Sequence, residues 1–142
     1  MTEALQVPLT IAGGSEDDRI ERRTQADLYR KGQHVYLRYS ELEEEMGRTT
    51  TTVRLGPDGV RIIRHGDVRS EQTFLAGETH RGYYETAHGK VELATSTREL
   101  HMRLEETGGD VQWRYELSVS GDPAGMFTLR LSFGSNGEGQ TS

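Results

Sequence analysis

The sequence contains no cysteine, and this absence excludes disulfide bonds, thiolate metal sites and cysteine nucleophiles. Proline occurs only 3 times, and lysine is limited to Lys31 and Lys90, so arginine carries most of the positive charge. No apolar run approaches the roughly 18 residues that a membrane-spanning helix needs. The first residues lack both the basic and the apolar segments of a secretory signal. We therefore expect a cytoplasmic protein.

The chain is acidic, since 17 Lys and Arg residues against 23 Asp and Glu residues give a formal net charge of -6 over 142 residues. Such a charge is poorly suited to the phosphate backbone of nucleic acids and to anionic membranes. A local group of basic residues is interpreted as a solvated, outward face, because motifs that stack on bases are lacking. These residues are Arg22, Arg23, Arg30, Lys31 and Arg38. The sequence thus predicts no nucleic-acid partner and no membrane partner.

Turn signals rich in glycine recur at intervals of about ten residues, which is typical of a meandering antiparallel sheet. Between them apolar and polar residues alternate, most regularly over residues 5–11, 111–119 and 127–133. Residues 15–31 allow two interpretations, a capped helix that begins near Ser15 or a strand. The connections are too short for parallel crossovers, so the strands are expected to be antiparallel.

These patterns predict an all-β fold, an antiparallel up-and-down meander closed into a β-barrel of about 8–10 strands. Closure removes the exposed sheet edges, and a β-sandwich with capped edges is the alternative architecture. The barrel is expected to be one domain over residues 1–134. The polar, glycine-rich residues 135–142 are expected to form a disordered tail.

Polar side chains continue the inward-facing apolar stripes of several predicted strands. They are Tyr39, Glu41, Arg64, Gln72, Tyr84, Thr95 and Thr97. A buried arginine needs a carboxylate or an anion as its partner. Two interpretations stay open. Either Arg64 pairs with Glu41 inside a hydrogen-bond network, or these residues line a cavity for a small polar or anionic ligand.

Evidence for catalysis is weak, because the sequence lacks the motifs of hydrolases, metalloproteases and nucleotide-binding enzymes. His80 is the one histidine that the alternation places inward. An enzyme using Glu41 or His80 would need that group in an open pocket with a strongly perturbed pKa. A non-enzymatic role without a metal or a cofactor is therefore favoured.

Several fragments, in order and without large gaps, resemble the YwiB-like family, a bacterial domain of unknown function. They include residues 28–41, Gly59-Val60, residues 72–74, residues 89–97 and Tyr115. The resemblance spans roughly residues 4–134. It implies a small cytoplasmic β-barrel similar in fold to lipocalins and other calycins, and it brings no activity, ligand or catalytic residue.

Two functional hypotheses follow from these observations. The first is an uncharacterised barrel that binds a small polar or anionic molecule in its interior without catalysing a reaction. The alternative is an interaction or structural protein with a self-filled barrel, acting through its outer surface, with a homodimer as one form. Tyr36, Ile63 and Tyr83 are the candidate surface residues for that alternative.

Overall fold

The computed structural model describes residues 4–15, 17–41 and 47–134. Within these ranges the secondary structure is all β, as predicted. The strands are β1 (Leu5–Gly14), β2 (Arg19–Lys31), β3 (His34–Glu41), β4 (Thr49–Gly56), β5 (Gly59–Gly66), β6 (Arg69–Phe74), β7 (Thr79–Thr86), β8 (Gly89–Glu105), β9 (Gly108–Val119) and β10 (Asp122–Gly134). Over the described ranges the structure has no helix of the length and apolarity needed to cross a membrane.

Each strand pairs with its neighbours in sequence, and β1 also pairs with β10, which closes the barrel. All of these pairings are antiparallel. Leu9 lies opposite Phe133 at the closing seam. The predicted meander and its closure are therefore confirmed, and the sandwich alternative is wrong.

Residues 19–31 of the ambiguous segment form β2, so the helix alternative is wrong. The backbone nitrogen of Ser15 donates to the carbonyl oxygen of Asp18 over 3.0 Å, which closes the turn between β1 and β2. Ala26 and Leu28 then place their side chains in the core, as a two-residue alternation requires. The predicted tail, residues 135–142, lies outside the described residues.

One end of the barrel is filled by apolar side chains, and we call it the apolar end. Leu55, Val60 and Phe133 are fully buried there, and Phe74 and Trp113 close the layer below them with ring centroids 5.3 Å apart. Packing of this kind supplies most of the stability of a β-barrel, because it removes large apolar surfaces from water.

The opposite end carries the turns β1–β2, β5–β6, β7–β8 and β9–β10, and we call it the polar end. Here Glu41, Thr51 and Ser70 are buried, whereas Ile11 and Phe127 are only partly buried. A β-bulge between Thr97 and Glu99 shifts the register of β8 against β9. Bulges of this kind bend a strand and help a sheet to close.

Candidate functional site

Glu41, the last residue of β3, is a buried carboxylate at the polar end, with 5% of its side chain exposed. The hydroxyl of Thr51 and Nε of Arg64 donate to its Oε2, the latter over 3.0 Å. Nη1 of Arg22 donates to Oε1 over 3.4 Å. Charged donors of this kind are what keep a carboxylate acceptable inside a protein.

Arg64 on β5 reaches Glu41 across the intervening strand β4, with 19% of its side chain exposed. Its Nη1 also donates to the hydroxyl of Ser70 over 3.3 Å. In the part of the chain that the structure describes, Nη2 has no hydrogen-bond partner. The predicted Arg64–Glu41 pair is confirmed, and one face of the guanidinium group keeps a donor available.

Arg22 corrects the sequence interpretation, which placed this residue on an outward basic face. In β2 the side chains of Thr24, Ala26 and Leu28 share one face, and Arg22 continues that alternation at the polar end. It therefore reaches Glu41 instead of forming part of the outward basic group. Half-burial is possible at this position because the barrel mouth still gives part of the side chain access to water.

We call Glu41 and the four side chains joined to it, directly or through Arg64, the ion cluster: Arg22, Thr51, Arg64 and Ser70. A cavity of about 390 Å³ lies beside the ion cluster, where β2 and β3 separate. The paired register of the two strands stops at Asp27 and Arg38, so the remaining residues of each strand no longer face a partner across this seam. The cavity is lined by Ile11, Arg22, Arg23, Thr24, Tyr39, Ser40 and Glu41. Among the predicted site residues, Tyr39 and Glu41 thus line it directly.

Two tyrosines at this end remain protonated under ordinary conditions. Burial, and then the negative charge of Glu41, raise the pKa of Tyr39 well above its ordinary value, against a smaller opposing effect of Arg64. Burial raises the pKa of Tyr115 to about 12, and Arg64 partly offsets the rise. Both phenols therefore present a hydroxyl group that can donate a hydrogen bond.

The other predicted site residues are distributed around the barrel wall. Gln72 lies opposite Ile62 and Tyr84 lies opposite Ser70, and both are half-buried. Thr95 donates its hydroxyl to the carbonyl oxygen of Thr73 over 2.7 Å, where β6 and β7 separate. That bond gives Thr95 a structural role in joining β8 to β6.

Thr97 differs from Thr95, because its buried hydroxyl has no hydrogen-bond partner among the described residues. It lies opposite Tyr115 on the inward face, on the side of the barrel away from the Glu41 cavity. His80 is also outside the cluster. Its Nε2 lies 2.8 Å from Oε1 of Glu78, with 35% of the imidazole side chain exposed. Within the described ranges, no group of three or more His, Asp or Glu residues is arranged to hold a metal ion.

Comparison with known proteins decides the family. The domain of unknown function DUF1934 matches residues 6–131. The chain belongs to the DUF1934 family. It is 29% identical over 129 residues to the uncharacterized beta-barrel protein YwiB of Bacillus subtilis (strain 168), covering 91% of this chain and 90% of YwiB. The resemblance stated from the sequence is confirmed.

The crystal structure of ywiB protein from Bacillus subtilis supports the same fold for this DUF1934 chain. The two structures superpose with a TM-score of 0.77 at 24% sequence identity, over 94% of this chain and 92% of the other. The likeness therefore supports a shared barrel fold. Neither the family description nor the relative's name specifies an activity.

Three members of the ion cluster in this DUF1934 chain were missing from the predicted site. Thr51 and Ser70 are the register neighbours of Tyr39 and Arg64, so pairing the predicted strands would have identified them. Arg22 had a signal as well, because it lies two residues before Thr24 on the same face. Its inclusion in a run of basic residues concealed that signal.

Proposed function

We propose that this barrel is a non-enzymatic binding protein that takes up a small polar or anionic molecule at its polar end. The observation that carries the proposal is the approach of two guanidinium groups, Arg22 and Arg64, to the buried carboxylate of Glu41 beside an open cavity. Guanidinium groups recognise carboxylates and phosphates through charged hydrogen bonds. An anion in the cavity would be a further partner for Arg22, which lines the cavity, and the charge of Arg64 on the other side of Glu41 would add to the attraction.

The dimensions of the cavity support a small ligand. A volume of about 390 Å³ lies within the range of roughly 300–1,000 Å³ that is common for small-molecule sites. Its wall combines polar groups with the apolar side chain of Ile11, and Tyr39 contributes a protonated phenol. This mixture suits a molecule that has both charge and apolar surface.

The proposal also covers the type of barrel, the cellular location and the partners of the protein. Barrels of related size, the lipocalins among them, hold one small ligand in the mouth, and we extend that lipocalin-like role to this chain. We place the protein in the cytoplasm, without a nucleic-acid or membrane partner, in keeping with its net charge of -6. The proposal requires no cofactor or metal.

Native mass spectrometry of the purified protein tests the proposal. The expected result is a reproducible excess over the denatured mass that Arg64→Gln abolishes. Arg54→Gln is the matched control, because Arg54 also pairs with a carboxylate, Asp58, over 2.9 Å, but on the outer face. An excess mass that Arg64→Gln leaves unchanged would contradict the proposed site.

A second candidate function is favoured by the filled apolar end. Because Leu55, Phe74 and Trp113 leave no room there, this half of the barrel acts as a scaffold and the outer surface could carry the function. Tyr36 stacks on Tyr29 on that surface, with ring centroids 5.0 Å apart. Light scattering after size-exclusion chromatography tests self-association: a dimer that Tyr36→Ala dissociates supports this function, and a monomer at high concentration argues against it.

A further inference from the structure

The cavity beside the ion cluster takes its lining from both faces of the sheet. Successive residues of a strand point to opposite faces. On β3, Tyr39 and Glu41 are buried and Ser40 between them is exposed, yet all three residues line the cavity. On β2, the half-buried Arg22 and the exposed Arg23 both line it. The cavity therefore extends through the barrel wall, from the interior to the outer surface.

The strand pairing explains why the wall is open at this place. β2 pairs with β1 over residues 19–28, and β3 pairs with β4 over residues 35–41. The pairing of β2 with β3 instead stops at Asp27 and Arg38. Every described residue that lines the cavity belongs to β1, β2 or β3. The cavity is therefore a slot in the side of the barrel, between the edges of β2 and β3, and not its central lumen.

Arginine lies at both ends of this slot. At the inner end, Arg22 and Arg64 share the single carboxylate of Glu41, which leaves a net positive charge. A guanidinium group has five N–H donors, so a carboxylate of a ligand can bind Arg22 beside Glu41. At the outer end, Arg23 lies 3.3 Å from Glu21, and 81% of its side chain is exposed. Such an exposed pair is weak, so Arg23 can turn to an acidic group in the slot.

We propose that the ligand is an elongated dicarboxylic acid that lies in this slot, with one carboxylate inside at Arg22 and the other outside at Arg23. This inference rests on the proposed function and adds the class of the ligand and its direction through the wall. Arginine binds carboxylates through charged hydrogen bonds. The apolar lining residue Ile11 suits the methylene chain of such a molecule.

Blocking the outer end of the slot tests the path. Because the chain has no cysteine, N-ethylmaleimide attaches selectively at an introduced one. In Ser40→Cys the attached group is expected to lower the affinity for adipate about tenfold or more, measured by isothermal titration calorimetry against the same unlabelled protein. Thr50→Cys is the matched control, because Thr50 lies opposite Ser40, is exposed and does not line the cavity. Equal affinity before and after labelling of Ser40→Cys would overturn the inference.

A comparison of adipate with hexanoate, which has the same chain length and one carboxylate, tests the two contacts. Wild type is expected to prefer adipate. Arg23→Gln should lower this preference by about twofold to fivefold, a modest loss because Arg23 is exposed. Arg38→Gln, at an exposed position on β3 that does not line the cavity, should leave the preference unchanged. The inference is wrong if Arg23→Gln keeps the full preference or if wild type does not bind adipate.

The Arg64→Gln variant distinguishes this inference from the proposed function. If Arg64→Gln weakens the binding of both acids while labelling of Ser40→Cys has no effect, the proposed function stands and the path through the wall is wrong. If wild type binds no adipate but carries an excess mass that Arg64→Gln abolishes, the proposed function stands and the ligand class is wrong. If Arg64→Gln binds both acids like wild type while labelling still blocks adipate, the slot is supported and the role of Arg64 in the proposed function fails.

Discussion

At the scale of single residues, Glu41 organises the polar end of the barrel. Its carboxylate accepts hydrogen bonds from one hydroxyl and two guanidinium groups that come from three other strands. A buried carboxylate with such partners fixes the positions of Arg22 and Arg64 relative to the cavity. The geometry of the proposed site therefore depends on one side chain.

Glu41→Gln is expected to lower the free energy of unfolding by about 1–3 kcal/mol, because it removes the charge that both arginines share. The expected loss is smaller than for a fully buried ion pair, because 38% of the Arg22 side chain is exposed to water. Urea denaturation measures the change. Glu116→Gln, whose carboxylate pairs with Arg98 on the exposed surface, is the control and should change stability by less than about 0.5 kcal/mol. Equal effects of the two substitutions would contradict the organising role of Glu41.

The raised pKa of Tyr115 predicts that the folded protein loses stability at alkaline pH. Its pKa in the folded protein is about 12, whereas a tyrosine in the unfolded chain ionises near about 10. The unfolded state therefore releases its proton first, so stability is full below about pH 10 and falls as the pH rises toward 12. Tyr115→Phe should remove about 2 kcal/mol of that fall by pH 12, measured by urea denaturation across this range. Tyr36→Phe is the control, and identical pH profiles for wild type and Tyr115→Phe would refute the assignment.

At the scale of strands, two seams of the barrel are incompletely paired. The register of β2 with β3 stops at Asp27 and Arg38, and β6 pairs with β7 only from Arg69 to Glu71. The first seam opens into the Glu41 cavity, and Thr95 bridges the second seam through the carbonyl oxygen of Thr73. Thus the seam between β2 and β3 is open, whereas the side chain of Thr95 helps to hold the seam between β6 and β7 together.

Gly82 sits where β6 and β7 separate, and its size is required there. A Cβ atom at this position would overlap the carbonyl oxygen of Glu71, a backbone atom that cannot turn away. Gly82→Ala should therefore lower the free energy of unfolding by about 1–3 kcal/mol, as for other overpacked sites. In Gly56→Ala the new atom meets the ring of His34, which can rotate, so the loss should be smaller. Thermal denaturation compares the two variants, and a larger loss in Gly56→Ala would exclude this explanation.

The strands themselves were predictable from the sequence because alternation and turn residues act locally. Leu5 to Ile11 and Val111 to Val119 alternate without interruption, and both are strands. The composition of the site was less predictable, because it depends on which strands separate. Nothing local shows that β2 pairs with β3 only from Asp27 onward, and this separation is what leaves room for the cavity beside Arg22 and Glu41. The alternation identified Tyr39, Glu41 and Arg64 as inward-facing, but their shared cluster depends on the register between neighbouring strands.

At the scale of the whole molecule, the barrel has a filled apolar end and an open polar end. Leu55 is fully buried at the first, whereas Ile11 lines the cavity at the second. Because the chain has a net charge of -6, the ion cluster, with the positive charges of Arg22 and Arg64, differs from the rest of the surface. The molecule therefore combines a stable scaffold with a site that water or a ligand can enter.

Truncation of one apolar residue at each end tests this division. Leu55→Ala leaves a cavity in a packed layer and should cost about 2–5 kcal/mol, whereas Ile11→Ala enlarges a space that is already open and should cost about 1 kcal/mol. Guanidinium denaturation gives both values. Similar losses at the two ends would mean that the polar end is packed as tightly as the apolar end.

The most direct test of the central claim, that the polar end selects an anion through Arg64, is the ratio of the affinities for two fluorescent probes: 8-anilinonaphthalene-1-sulfonate, and N-phenyl-1-naphthylamine, which has the same rings without the charge. We predict that wild type and Arg54→Gln prefer the sulfonate, and that Arg64→Gln lowers this preference by about tenfold or more. The same ratio in all three proteins would show that Arg64 does not recognise an anion, and the proposed function would then be wrong.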